Sequence, residues 1–143
     1  INKELEGVVV KTIAAFANSF NGGTLLIGIA DNGDSVGLEH DFACLGDADK
    51  DRFEIHLRNL FGQSFGQNFT ASKLKISFPE VTGVEICQID VKPADAAVVI
   101  AVSDKNGLKS EKLYVRSGNS SPEMPLSEVQ AFLSKRFGTT ALA

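Results

Sequence analysis

Apolar positions recur at helical spacing across residues 3–20. Val9, Ile13, Phe16, Ala17 and Phe20 form one stripe of a 3.6-residue period. Asn21-Gly22-Gly23 predicts the end of that helix, because glycine past a last turn readily takes the left-handed cap conformation. Thr24 to Ala30 is a short apolar run between glycines, the pattern of a strand buried on both faces. Asp31 to Ser35 has turn composition, and Val36 to Leu38 predicts a short returning strand. A second helix is expected over 48–62, with Phe53, Leu57, Leu60 and Phe61 on one face and Asp47 or Asp49 as N-cap. A loop through Gly62 and Gly66 follows.

Lys73 to Phe78 alternates polar and apolar residues, and so does Val84 to Val91; both read as strands with one wet face, paired with each other, and Pro93 ends the second. Ala97 to Val102 and Lys112 to Arg116 predict two further strands around a turn at Asp104 to Gly107. After the polar loop Ser117 to Pro122, a closing helix is predicted over 126–137. Ser127 is its expected N-cap, and Val129, Phe132, Leu133 and Phe137 its apolar face. Strands linked as hairpins and flanked by helices predict an α+β fold: one domain over 1–143, with a mixed β-sheet and about three helices.

Composition narrows the class. The 43% hydrophobic and 22% charged content over 143 residues is that of an ordinary globular chain able to bury its own core. No apolar run approaches the ~20 residues of a membrane-spanning helix, and no secretory leader pattern is present, so no membrane partner is expected. The chain opens on Ile1 rather than Met, which reads as a piece of a longer chain. Cys44 and Cys87 lie far apart without a C-x-x-C spacing; they suit buried thiols in a reducing, cytoplasmic setting better than a disulfide or a zinc site.

The net charge of −4 is unevenly spread. Residues 1–60 carry five Lys/Arg against ten Asp/Glu, whereas residues 105–143 carry six against three. An acidic chain does not bind polyphosphate by bulk charge, so any nucleic-acid surface must be local, and the last third is where to look.

There, Lys105, Lys109, Lys112 and Arg116 surround a turn and its following strand, and Tyr114 and Arg116 alternate with Leu113 and Val115 to share a face. Tyr can stack on a base and Arg can fork a phosphate, with Ser117 and Asn119 in the next loop as added donors. The same residues also fit a solvated strand face kept from aggregating by lysine.

Asn18 lies near the first helix's end, on the side of Lys11 and Ala14; it either ties down the Gly-Gly turn or meets a ligand. Gly22, Gly23 and Gly28 serve positive φ or close backbone approach. Asp31 and Asp34 either close a turn through their own backbone or supply part of an oxygen-rich divalent site. His40 and His56 have no nucleophile partner motif, and no phosphate-cradling G-x-x-x-x-G-K-[ST] run exists.

Taken together, Lys11-x-Ile-x-Ala-Phe-Ala-Asn18, Gly22-Gly23, Leu26-Ile-Gly28, Asp31-Asn-Gly33, Gly37 and the late Tyr114-x-Arg116-x-Gly118 resemble the Schlafen-type AlbA domain across nearly the whole chain. The resemblance implies a DNA- or RNA-binding module, of the kind found in transcriptional regulators, with Lys112, Tyr114, Arg116, Ser117 and Asn119 toward the backbone and Asn18, Gly22, Gly23 and Gly28 shaping the site. Nuclease members of that family hold a divalent metal, Mg or Mn, with upstream glutamates and an acid after the Gly-containing strand. Asp31 matches the later acid, with Asp34 beside it, while Glu4 and Glu6 fall inside the first helix and do not match the upstream pair. A metal-dependent nuclease is therefore the alternative, and a protein-interaction or homo-oligomerising domain is the third class left open.

Overall fold

The computed structural model describes residues 3–28 and 50–138. Helix α1, Lys3–Asn18, buries Val9, Ile13, Ala14, Ala15 and Ala17. The apolar stripe predicts that face, except that Phe20 lies past the helix and is 55% exposed. The chain then turns through Gly22, at φ 69°, into strand β1, Gly23–Ile27. A side chain at Gly22 would meet the Val91 carbonyl oxygen, and one at Gly23 would enter the Phe16 ring. Both glycines are thus required by close approach, and Gly22 and Gly28 also hold positive φ.

Helix α2, Lys50–Phe65, buries Phe53, Leu57 and Phe61 against α1 and the sheet. The expected loop through Gly62 and Gly66 is helical instead. The α2 helix runs past Gly62 and breaks only at Gly66, at φ 88°, after which α3 forms over Gln67–Lys73. The Gly66 carbonyl opens α3 by accepting both the Thr70 N–H and its hydroxyl.

The central sheet has the order β1-β5-β2, with β2 at Leu74–Ser77 and β5 at Cys87–Val91. Cys87, Ile89 and Val91 face the core, while Gln88 and Asp90 lie on the other face, where Asp90 accepts from Thr24 and Gln88. Two hairpins complete the strands. One pairs β3, Glu80–Val81, with β4, Val84–Glu85, through a tight turn with positive φ at Thr82 and Gly83. The other pairs β6, Val99–Ser103, with β7, Lys109–Leu113.

The fold is α+β, and helix α4, Leu126–Phe137, closes the described chain over its predicted range. Strand β1 is not buried on both faces as expected, since Thr24 is exposed and Leu26 is 44% exposed, and further details differ from expectation. Every described strand pairing is antiparallel, in three small sheets rather than one mixed sheet, and the described helices number four. Pro125, not Ser127, precedes α4, with no side-chain cap, because proline's fixed φ already sets the entry. The run 84–91 is interrupted at Ile86, whose N–H donates to the Pro79 carbonyl. The returning strand expected at Val36 to Leu38 lies outside the described residues.

Candidate nucleic-acid interface

Asn18 organises the region around the last strands. It is fully buried at the end of α1. Its Nδ2 donates to the carbonyls of Val98 and Tyr114, both at 2.9 Å, and its Oδ1 accepts the Val98 N–H at 2.8 Å. The register of β6 and β7 explains why. Val99 faces Leu113, so Val98 and Tyr114 would be the next facing pair. The Leu113 carbonyl turns away from β6 to accept the Met124 N–H, which leaves the Tyr114 backbone turned toward β6. The Asn18 carboxamide fills that rung and bonds both strands where the ladder would otherwise continue. Its two N–H donors and its oxygen are all used. Asn18 is therefore a clasp between α1 and the β6–β7 hairpin, not between α1 and the Gly-Gly turn.

The inward setting of Tyr114 follows. The alternation of Tyr114 and Arg116 is as expected, but the shared face is the one turned to α1. Tyr114 is only 9% exposed and packs with Ala14, Ala15 and Ile100, and the Lys11 ammonium sits 5.7 Å from its ring centroid. Strand β7 ends at Leu113, and Tyr114 instead bridges Glu123. Its ring is not available to stack on a base. Lys112 is also engaged: its Nζ bonds Glu123 at 3.0 Å, and that hydrogen bond raises the ammonium above its ordinary range.

Arg116 is held differently. Its guanidinium lies 5.0 Å from the centroid of the Phe16 ring. Nε donates to the Gly118 carbonyl at 3.2 Å and Nη1 to the Ser121 hydroxyl at 2.9 Å. Among the described residues it forms no ion pair, so most of its guanidinium donors remain unspent. Immediately after it, Ser117 and Ser120 exchange reciprocal backbone hydrogen bonds at 2.9 and 3.0 Å. The two residues between them are Gly118, at φ 60°, and Asn119, the arrangement of a type II′ turn. Ser117, Gly118, Asn119 and Ser120 are all exposed at its tip.

Lys105 and Lys109 belong to the opposite end of the hairpin, where Asp104 accepts from the backbone of Asn106 and Leu108. Seven extended residues from Lys109 to Arg116 span about 23 Å, so these cations form a line along the strand rather than one cluster.

Sequence reasoning did not single out Arg136. From α4 it donates to four carbonyls: Ala17, Asn18 and Ser19 at the end of α1, and Ala94. Its guanidinium also lies 4.2 Å from the Phe137 ring centroid. Burial lowers its affinity for the proton, with Asp95 opposing that shift. The α1 helix has no basic residue in its last turn, and Arg136 supplies that charge from elsewhere in the chain. The only prior signal was a basic residue late in a C-terminal helix, which is too common to select.

His56 pairs with Glu6 at 2.8 Å across α1 and α2. Asp31, Asp34, His40 and Cys44 lie outside the described residues. Cys87 is buried in β5, as expected of a core thiol. Among the described residues no group of three His, Cys, Asp or Glu is placed to hold a metal ion, and no helix is long and apolar enough to cross a membrane.

The architecture is that of a small α+β domain whose first helix is clasped to a late hairpin by a buried asparagine. The family model described as "Schlafen, AlbA_2" matches residues 1–125, and the chain belongs to that family. The fold is also similar to a crystal structure of the DIP2311 protein from Corynebacterium diphtheriae, at a TM-score of 0.58 and 20% identity. That likeness covers 95% of this chain and 24% of the other, so the chain spans about a quarter of that protein's length. A search of curated proteins finds no match.

Proposed function

We propose that this domain binds nucleic acid through its phosphate backbone, with Arg116 and the Ser117–Ser120 turn as the contact. One observation carries the reading. Arg116 is set in place by Phe16, Gly118 and Ser121, carries no carboxylate partner among the described residues, and stands beside exposed hydroxyls and an exposed amide. A guanidinium with fixed orientation and unspent donors favours bidentate contact to a phosphate oxygen pair. Ser117 and Asn119 add the neutral donors that position a backbone without reading its bases. Membership of the AlbA_2 family supports the same reading. Lys112 and Tyr114 support this contact indirectly, Lys112 through its pairing with Glu123 and Tyr114 from the core.

Fluorescence anisotropy of labelled single- and double-stranded oligonucleotides over a salt series tests it. Binding weakens as salt rises, and Arg116→Ala lowers the log–log salt slope by about one. Tyr114→Phe leaves the affinity unchanged. Absence of binding at low salt, or an unaltered slope in Arg116→Ala, overturns the proposal.

A further inference from the structure

We infer that the outer edge of β6, with the groove beside it, accepts an extended peptide as an added strand. The ladder fixes which groups are on offer. Asp104 donates its N–H to the Leu108 carbonyl directly opposite, so even-numbered residues of β6 bond β7, and the N–H and C=O groups of Val99, Ala101 and Ser103 point away from it. Among the described residues no strand pairs with that edge. It also lacks the usual guards, since Val99 to Ser103 contains no charge, proline or bulge.

The space alongside is shaped for a strand. A groove of about 840 Å³ runs between β6, α1 and α2, lined by Ile100 to Ser103 on one wall and by Val8, Val10 and Leu60 below. Val8 is half exposed there although the opposite face of α1 is fully buried. Charge along the groove sets the occupant's polarity. Lys11, seated at the Tyr114 ring, lies partway along, and Glu4 and Glu6 lie toward one end, Glu6 with one carboxylate oxygen on His56. Lys11 and Glu6 are about 7.5 Å apart along the helix axis, close to the ~7 Å spanned by two strand residues. The fitting partner is thus an extended segment with small apolar residues, an acid facing Lys11 and a base two residues on, toward Glu4 and Glu6. Main-chain bonds to the three outward residues would give affinity, and the charges would give direction.

The probe is a ten-residue peptide of alternating Val and Thr with one Glu and one Lys two residues apart; its control carries prolines at alternate positions. Anisotropy measures binding to the 143-residue chain, and amide exchange reads the edge. Binding of the probe and not the control, with new protection at Val99, Ala101 and Ser103, is the expected result. Ala101→Pro removes an outward N–H while sparing the bonds to β7, so it weakens binding at least tenfold with the circular dichroism of the fold retained. If that variant loses its fold, Ser103→Pro at the end of the same edge repeats the test. Protection of those amides before peptide is added would mean that another segment or a second copy already covers the edge, and overturns the inference. Equal binding of the two peptides overturns it as well.

Discussion

Replacing Asn18 with alanine isolates the clasp between α1 and the late hairpin. The substitution removes the partner of three main-chain groups, the Val98 N–H and the carbonyls of Val98 and Tyr114, next to a side chain with no solvent exposure. Each orphaned buried group costs about 1–3 kcal/mol, and alanine's better helix propensity returns about half a kcal/mol. Because the three groups share one partner their costs do not add fully, and a loss of about 3–5 kcal/mol is expected. That is a large share of the roughly 5–15 kcal/mol that holds a domain of this size folded. Urea unfolding followed by circular dichroism measures it, with the midpoint falling at unchanged slope; in a thermal scan the loss is about 10 °C or more.

Asn18→Asp sharpens the test. The aspartate keeps an oxygen for the Val98 N–H but turns a carboxylate toward two carbonyls. Burial and those dipoles raise its folded pKa above the unfolded value. Sign follows from linkage: the folded state holds the proton more tightly, so stability is greatest at low pH and is lost as pH rises through the folded pKa. A loss below about 1 kcal/mol for Asn18→Ala, or a pH dependence of opposite sign for Asn18→Asp, would refute the assignment of a buried, saturated amide.

Three other outcomes follow. Gly23→Ala places a Cβ inside the Phe16 ring and destabilises the chain by about 1–3 kcal/mol, and Phe16→Leu in the same chain recovers part of that in urea unfolding. Arg136→Lys does not substitute for arginine, because a point ammonium cannot serve four carbonyls at once; fast amide exchange through α4 reports its release. Glu123→Gln lowers the Lys112 pKa back toward its ordinary value in an NMR titration. In the parent chain the pair's contribution persists up to about pH 10.5 and fades as pH rises through the raised pKa.

Local pattern carried the helices and most strands. The α1 stripe through Val9, Ile13 and Ala17 and the pairing of 74–77 with 87–91 were legible because their periodicity is set by burial on one face, and the span of α4 because its apolar residues keep helical spacing on a half-buried face. Helix α3 was not, since Gln67-Asn-Phe-Thr after a glycine carries weak propensity and forms under tertiary packing. The fate of Tyr114 and Arg116 shows the limit at the site. Alternation gave their common face, but which face is inward depends on α1, about a hundred residues earlier in sequence, and on the Asn18 amide that bonds across 80 and 96 positions. Arg116 and Lys112 look equivalent as a string of cations; Glu123, placed beside one and not the other by the chain's return, separates them.

The family match stops at residue 125, and the guanidinium that quiets the end of α1 comes after it, at Arg136. A protein shortened to the matched span would leave the Asn18 and Ser19 carbonyls asking water for replacement donors, while the Ala17 carbonyl keeps the Ala94 N–H. The Asn18 clasp hangs on this same last turn, so a helix outside the matched span tensions the platform on which Arg116 is mounted.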